Sequence, residues 1–467
     1  NSQEFLAALG TKRYPSKTFT VEQSSIESAI DNTGKVRQQQ LDSHQMQKSG
    51  RAVPKDATLN PVDYSMFVKN TGDVSATFAA QLSDIGKIEG FQVRVGVTSD
   101  SIKNFMDQRG ADNISYLQVP HGEVWTEDYG EPIAGGGRVV PAIFTDHYGE
   151  LIRSAIKEGR DERFGPLGLN GNFAYHGAVN QGHFQELCLA QGIAENGPVR
   201  QAVSYLEGGN IYTGTRPDGS GYVLVGKDSF QVTKKLLEKQ TGTNWSDAQI
   251  KEAIAADMGL EPSGVVPIEQ PGAFHLDMRL TSTAPGEILL SDSVMAVEQE
   301  VAWMQSDLDA QAASLKPKEL KRRREELKEQ AEQMLAQAKE MKKYEDLTAK
   351  DLVEAGFVVN RVGGSFVDPT SPKRDTANYF NARHGTNEEG QRFTILMGGT
   401  PREEAYMAQQ VFDKSHGEIS HIYFLDPKVT QSTLDLMGGL KCRTKPGGDL
   451  VSPELISHPA VDHLVTA

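Results

Sequence analysis

The strongest constraint on the fold is an order of elements that recurs along the chain. Residues 91–120, 221–269 and 393–426 each have the pattern of a strand, a helix and a second strand. A stretch with reactive side chains follows each round, as at 125–128. Repeated α/β units that bring different functional residues to one place indicate pseudo-symmetric modules around a central site.

Composition agrees with a globular α/β protein. The chain has 467 residues, 38% of them hydrophobic, and 45 glycines. The 48 basic and 63 acidic residues give a net charge of −15, which argues against nonspecific nucleic-acid binding and favours small cations or basic peptides as ligands. No run of about 18 apolar residues occurs, so we expect no membrane span. No signal peptide is visible at the first residues.

The chain divides into segments of different texture. Residues 1–65 are polar and Gln-rich, and we expect surface helices with a linker or a partly ordered extension. Residues 66–290 and 349–467 carry the α/β pattern. Residues 291–348 are rich in Ala, Glu, Lys and Leu and lack glycine, which predicts an inserted hairpin of two long helices that restarts at Pro317. This hairpin is either a partner-binding or self-associating arm or a solvated insertion packed on its own domain.

Six polar residues lie in short stretches that suggest a site. Taken singly, they also fit ordinary roles as turn residues, a structural histidine or a buried cysteine. They are Asp128, Glu207, His275, Asp277, Asn381 and Cys442.

His275 and Asp277 lie in the segment 272–280, GAFHLDMRL. We predict a strand here, because alternation would then place both polar side chains on one face and Phe274, Leu276 and Met278 on the other. A face with an imidazole and a carboxylate suits a cleft that binds a cation and moves protons.

Together these residues fit chemistry on a guanidinium group. Carboxylates bind this planar cation through charge-assisted bonds, so Asp128 and Asp277 are candidates to hold it. Its carbon needs a strong nucleophile such as the thiolate of Cys442, and a bound cation would lower the thiol pKa. His275 is the candidate general acid and base, and Glu207 would orient its imidazole.

The same stretches resemble the guanidino-group-modifying, or pentein, superfamily. WTEDYGEP (125–132), EGGN (207–210), FHLD (274–277), NYFNARHG (378–385) and GGLKCRT (438–444) resemble motifs of agmatine deiminases and bacterial peptidylarginine deiminases in their order. The resemblance covers about residues 90–290 and 350–450. It implies a five-bladed α/β propeller of ββαβ-type modules, with the site at the central axis. Three positions depart from it: Glu127, Glu131 and Asn210.

The resemblance implies an enzyme that hydrolyses a guanidinium group to a ureido group and ammonia through a covalent cysteine intermediate. The expected substrate is peptidyl-arginine, giving citrulline, or agmatine, giving N-carbamoylputrescine in putrescine biosynthesis. Trp125, Asn210 and Asn381 are expected to contact this substrate together with Asp128 and Asp277.

Two other functions stay open at this point. An amidinotransferase of the same fold would pass the amidino group to an amine, and an inactive scaffold protein would use the helical arm. We expect no cofactor, no metal, no nucleic acid and no membrane partner, although dependence on calcium is not decided. With two cysteines in the chain and no disulfide framework, a cytoplasmic location is the simplest interpretation, and secretion or translocation stays open.

Overall fold

The structure, a computed structural model, describes residues 18–56, 63–68, 74–108, 113–142, 185–273, 275–368, 371–435 and 438–446. The helices with defined ends are α1 (Gln23–Ser43), α2 (Ser75–Glu89), α3 (Asp100–Gln108), α4 (Lys227–Thr241), α5 (Asp247–Met258), α6 (Ser293–Gln311), α7 (Pro317–Glu354), α8 (Pro401–Lys414) and α9 (Pro427–Leu434). Residues 185–194 are also helical.

The strands are short, and many follow directly on a turn. They are β1 (Thr18–Thr20), β2 (Asp63–Val68), β3 (Gln92–Val97), β4 (Ile114–Gln118), β5 (Glu131–Pro132), β6 (Arg138–Val140), β7 (Val199–Gln201), β8 (Ile211–Thr215), β9 (Gly221–Gly226), β10 (Val265–Ile268), β11 (Leu280–Ala284), β12 (Glu287–Ser291), β13 (Val358–Val362), β14 (Ser365–Asp368), β15 (Ser371–Asn378), β16 (Arg383–Thr386), β17 (Arg392–Leu396), β18 (Ile419–Phe424) and β19 (Lys445–Pro446). The predicted α/β class is confirmed.

One three-strand topology recurs through the described residues, and we call each copy a module. The first two strands run antiparallel, and the third pairs parallel with the second, which requires a crossover connection. The modules are β5-β6-β7, β8-β9-β10, β11-β12-β13, β16-β17-β18 and β19-β2-β3. The arrangement of these modules as blades of a propeller stays a prediction.

The last of these modules joins distant parts of the chain. Strand β19 lies near the end of the described residues and pairs antiparallel with β2. The same sheet continues through β3 and β4 to β1, which pairs parallel with β4. Segments from both ends of the described chain are therefore hydrogen-bonded into one sheet.

Crossover helices form where the sequence supplies caps and an apolar face. Ser246 caps α5 through a reciprocal capping box with Gln249, and Gly259 ends the helix in the left-handed conformation at φ 66°. Ile250, Ala253 and Ile254, at i, i+3 and i+4, are buried in the core of the β8-β9-β10 module.

Helices α6 and α7 form the crossover of the β11-β12-β13 module. Asp292 caps α6 by accepting hydrogen bonds from the backbone of Val294 and Met295, and α7 begins at Pro317. Val297, Met334 and Ala338 pack between the two helices. Helix α7 continues beyond 348, and its last turn is buried in the core through Leu352. That these helices are an insertion with a separate task stays a prediction.

The described part of residues 1–65 packs against the rest of the chain. Arg37 on α1 donates from Nε to the carbonyl of Ala202 at 2.7 Å and from Nη2 to Gln240 Oε1 at 2.9 Å. Lys55, further along, is buried. Within the described residues, each helix is too short or too polar to cross a bilayer. The domain boundaries at 65, 290 and 348 stay predictions.

Candidate active site

The predicted site residues occupy equivalent places in the topology. Each lies in a connection that follows one sheet and precedes the first strand of the next module. Asp128 lies between β4 and β5, Glu207 between β7 and β8, His275 and Asp277 between β10 and β11, Asn381 between β15 and β16, and Cys442 between β18 and β19. Each connection between modules therefore contributes one of the predicted stretches.

His275 and Glu207 come together from adjacent connections. The Nε2 atom of His275 lies 3.1 Å from Glu207 Oε1, and both side chains are buried. Burial alone would lower the pKa of His275, but the charge and contact of Glu207, followed by Asp128 and Asp277, raise it to about 9. The ring packs so closely on Gly209 that a Cβ there would lie 2.2 Å from Nδ1. The imidazole is thus held in one place and favoured in its protonated form.

The strand predicted over 272–280 is wrong around these residues. His275 has an extended backbone, Leu276–Met278 form a 3₁₀ turn, and β11 begins only at Leu280. The turn is closed by the backbone N–H of Arg279, which donates to the carbonyl of Leu276 at 3.0 Å. The segment links two modules and turns there, so Leu276 and Met278 enter different apolar clusters. Phe274 lies outside the described residues.

Cys442 is buried beside Asn381. The amide Nδ2 of Asn381 lies 3.4 Å from Cys442 Sγ, and its Oδ1 accepts hydrogen bonds from the backbone of Lys441 at 2.5 Å and Cys442 at 3.2 Å. Burial raises the pKa of the Cys442 thiol well above its usual value, and the charge of Asp277 adds to this. Asn381 therefore fixes the turn that carries the thiol, and burial favours the protonated thiol.

Asp128 and Asp277 add two carboxyl groups to the site, besides the carboxylate of Glu207 that pairs with His275. Burial raises the pKa of Asp128 to about 7, against the effect of His275, and Glu207 raises it further. Burial also raises the pKa of Asp277, whereas Lys441 lowers it. The side chain of Asp277 is fully buried, yet neither oxygen has a hydrogen-bond partner among the residues that the structure describes. An unpaired buried carboxylate is costly, and a cationic ligand would remove that cost.

Trp125 forms an apolar wall beside the thiol. Its ring is half-buried and packs with Ala273, Met278 and Cys442. It lies against Gly438, where a Cβ would come 2.1 Å from the ring. A planar cation that reached Cys442 would therefore meet an aromatic face.

Asn210 lies behind Glu207 and has other partners. Its Nδ2 donates to Asp228 Oδ1 at 2.5 Å and to Ser229 Oγ at 2.8 Å, and Ser229 Oγ donates in turn to Glu207 Oε2 at 3.3 Å. A direct contact of Asn210 with substrate stays a prediction; its observed contacts support the carboxylate of Glu207.

The thiol, the imidazole and the carboxylates lie close enough together to act on one another's charge. Asp128 and Asp277 act on the pKa of both His275 and Cys442, and Asn381 Nδ2 contacts Cys442 Sγ while donating to the carbonyl of Asp277 at 3.2 Å. We call the set of Asp128, Glu207, His275, Asp277 and Cys442 the acid pocket.

A second buried group of charges was not predicted, and we call it the ion cluster. Glu127 Oε1 lies 2.5 Å from Lys55 Nζ, and its Oε2 lies 2.5 Å from Arg383 Nη2. Glu131 Oε1 lies 3.1 Å from both Lys55 Nζ and Lys445 Nζ. The cluster consists of Lys55, Glu127, Glu131, Arg383 and Lys445. Glu127 and Glu131 are two of the positions where the sequence departs from the family that it resembles, and that departure was the only available signal.

Lys441 joins these two regions. Its ammonium lies 3.8 Å from the ring centroid of Tyr212 and is buried. Burial, followed by the charge of Lys55, lowers its pKa to about 7, against Asp277 and Glu127. Lys441, which directly precedes Cys442, therefore carries an ammonium group that loses its proton near pH 7.

Two further buried polar side chains, His384 and Arg138, are bound to residues outside this site. His384 bonds through its two ring nitrogens to Thr281 at 2.6 Å and Thr394 at 2.8 Å, and burial lowers its pKa to about 3. Arg138 donates to Glu195 at 2.6 Å and 3.2 Å. Within the described ranges, no three or more His, Cys, Asp and Glu side chains are arranged to hold a metal ion.

Several solved structures are similar to this chain. No family model matches the sequence, and no curated protein matches it. Among solved structures, the chain is similar to the C. jejuni agmatine deiminase with substrate bound, at 13% identity and a TM-score of 0.47, covering 85% of this chain and 96% of that one. A further structure of that enzyme gives 13% identity, a TM-score of 0.48 and the same coverage of 85% and 96%. The Enterococcus faecalis agmatine deiminase gives 15% identity and a TM-score of 0.47, covering 86% of this chain and 99% of its own. These are enzymes of the kind that the sequence motifs resemble.

Proposed function

We propose that this protein is a deiminase that hydrolyses a guanidinium group to a ureido group and ammonia. The observation that carries the proposal is the acid pocket, in which a buried thiol and an imidazole paired with Glu207 lie with two further carboxylates, Asp128 and Asp277. A guanidinium offers paired N–H groups and one positive charge, which match Asp128 and Asp277.

The bound cation has a direct consequence for the thiol. Burial and the charge of Asp277 raise the pKa of Cys442. A guanidinium beside the sulfur neutralises that acidic field and stabilises the thiolate. Nucleophile formation is therefore coupled to substrate binding.

The reaction then proceeds in two halves. Cys442 first releases its thiol proton to solvent, the thiolate Sγ bonds to the guanidino carbon, and the tetrahedral adduct collapses as ammonia leaves with a proton from His275. His275, now neutral, takes a proton from water; the hydroxyl adds to the thiouronium carbon, the C–S bond breaks, and the ureido product and the cysteine are released. Glu207, 3.1 Å from the ring, stabilises the imidazolium that gives the first proton and that forms again when His275 takes a proton from water.

Peptidyl-arginine and agmatine are the proposed substrates. Free arginine would need a cation for its carboxylate; of the two arginines considered for this role, Arg138 is held by Glu195, and Arg153 lies outside the described residues. The helical hairpin favours a macromolecular substrate, whereas the acid pocket itself accepts either compound.

A ureido assay across agmatine, an arginine peptide and free arginine tests the proposal. We expect product from agmatine or the peptide, with ammonia released in equal amount and no acceptor amine required. Product formation only when an acceptor amine is added would instead identify an amidinotransferase. Absence of any product from the three compounds, with the protein folded, would favour a scaffold protein that uses α6 and α7.

A further inference from the structure

The ion cluster touches the backbone of the connections that carry the acid pocket. Its centre is Glu127, whose carboxylate bonds to Lys55 and Arg383, each at 2.5 Å. Glu127 directly precedes Asp128 in the chain. Its backbone N–H donates to the carbonyl of Cys442 at 3.1 Å, and its own carbonyl accepts from Lys445 Nζ at 2.8 Å. The Asp128 and Cys442 connections are therefore joined at this residue.

Lys55 extends the contacts to a third connection. Its ammonium donates to Glu127, and also to the carbonyls of Gly208 at 3.0 Å and Ile211 at 2.7 Å. These carbonyls flank the turn that follows Glu207, the carboxylate in contact with His275. One buried ammonium thus sets the distance between the Asp128 and Glu207 connections.

Arg383 extends these contacts to a fourth connection, the one that carries Asn381. It lies two residues after Asn381, and it donates to the carbonyl of Lys441 at 2.9 Å and to Thr444 Oγ1 at 2.8 Å. These acceptors flank Cys442 on both sides. The planar guanidinium fork of Arg383 therefore spans the turn that carries the thiol and ends on Glu127.

We propose that Glu127 is a positioning residue for the acid pocket: through Lys55, Arg383 and its own backbone it holds the thiol in register with the carboxylates that bind the substrate cation. This inference rests on the proposed function, because the register is defined relative to the carboxylates that would bind the substrate cation. Glu127 itself does not touch the substrate.

A merely structural ion pair is the alternative, and the chain contains a matched control. Glu195 is equally buried, and it pairs with Arg94 at 2.7 Å and with Arg138 at 2.6 Å. The described contacts of Glu195 are with residues outside the acid pocket. Glu127→Gln and Glu195→Gln each remove one buried charge, so both lower stability, but only the first should change the pocket.

The test compares two alkylating agents of the same shape. Chloroacetamidine carries a planar cation with paired N–H groups, whereas chloroacetamide is neutral. The rate of Cys442 alkylation by each is measured in folded protein by peptide mass mapping, normalised to a small free thiol, and expressed as a ratio. We expect the wild-type ratio to exceed about 100, and Glu127→Gln to lower it at least about tenfold, since displacement by about 1 Å costs on this order. Glu195→Gln should stay within about twofold of wild type, because it leaves these contacts intact.

Arg383→Lys provides a second variant if Glu127→Gln does not fold. It keeps a positive charge beside Glu127 but lacks the fork that reaches both sides of Cys442, so it should lower the ratio in the same way. Equal ratios in wild type and these variants, or an equal fall in Glu195→Gln, would overturn the proposal.

If the proposed function is wrong, the alkylation rates of wild-type Cys442 give a different result. A wild-type ratio near one would reject the cation pocket. The positioning role is then decided by chloroacetamide alone, whose rate Glu127→Gln must change at least about fivefold with Glu195→Gln unchanged. An unchanged rate would overturn the positioning role as well.

Discussion

The acid pocket and the ion cluster are both buried and both charged, but their charges are paired differently. In the ion cluster, Glu127 and Glu131 face Lys55, Arg383 and Lys445 at 2.5–3.1 Å. In the acid pocket, three carboxylates surround one imidazole. Neither oxygen of Asp277 has a hydrogen-bond partner in the described part of the chain.

This difference separates a structural role from a binding role better than burial or charge does. A buried charge that already has its partners contributes to the fold, and removing one partner is costly. A buried carboxylate without a hydrogen-bond partner is stabilised either by taking up a proton or by binding a cationic ligand. The comparison predicts that variants in the two regions affect different quantities.

Asp277→Asn should give the largest change that discriminates between the regions. We expect kcat/KM for the guanidinium substrate to fall about 10³-fold or more, because the substrate cation loses a buried charged partner. The free energy of unfolding should stay within about 1 kcal/mol of wild type, since the lost charge had no hydrogen bond. Steady-state ureido formation and urea denaturation measure the two quantities. A large loss of stability with intact kcat/KM would remove the distinction between the regions.

Glu131→Gln should show the reverse pattern. It leaves Lys55 and Lys445 with one carboxylate fewer, so we expect the free energy of unfolding to fall by about 3 kcal/mol. The decrease in kcat/KM should be much smaller than in Asp277→Asn. If urea denaturation finds Glu131→Gln as stable as wild type, the ion cluster does not stabilise the fold.

The pH dependence of the free energy of unfolding tests the ion pair between His275 and Glu207 in the acid pocket. Glu207 raises the pKa of His275 from 6.5 to about 9, so the folded protein holds a proton that the unfolded chain has released. This contribution is fully present below pH 6.5 and is lost as pH rises through 9; it amounts to roughly 3 kcal/mol. Urea denaturation between pH 6 and pH 10 should show a steeper fall in wild type than in Glu207→Gln. Parallel curves would contradict the ion pair.

An exposed pair on the helical arm should give the smallest effect. Arg324 on α7 lies 3.0 Å from Asp309 on α6, and about half of each side chain is exposed. Solvent screens such a pair, so Arg324→Ala should leave the midpoint of urea denaturation close to that of wild type. With agmatine as substrate, kcat/KM should remain at the wild-type value. A large fall in kcat/KM would show that the arm acts on the pocket.

The sequence predicted the α/β class, the recurring module and the stretches that meet in the acid pocket. These predictions depended on the local order of strands and helices and on short motifs such as EGGN and FHLD. The turn at Leu276–Met278 was missed because a short 3₁₀ turn and a short strand show the same alternation of polar and apolar residues. The ion cluster was missed because Lys55, Arg383 and Lys445 are far apart in the chain, and charged residues are usually exposed.

The roles of individual amides also depended on tertiary contacts. Asn381 was expected to bind substrate, but its Oδ1 is used by the backbone of Lys441 and Cys442. Asn210 supports Glu207 through Ser229. No local pattern distinguishes an amide that faces a ligand from one that fixes a neighbouring turn.

The central claim is that Cys442 attacks a guanidinium bound in the acid pocket. The most direct test is ureido formation by Cys442→Ser, with Cys188→Ala as control, since Cys188 is buried away from the pocket and burial raises its pKa to about 12. We predict that Cys442→Ser lowers kcat at least about 10³-fold, as loss of a covalent nucleophile does, while Cys188→Ala stays within about threefold of wild type. Activity of Cys442→Ser within about tenfold of wild type would contradict the account.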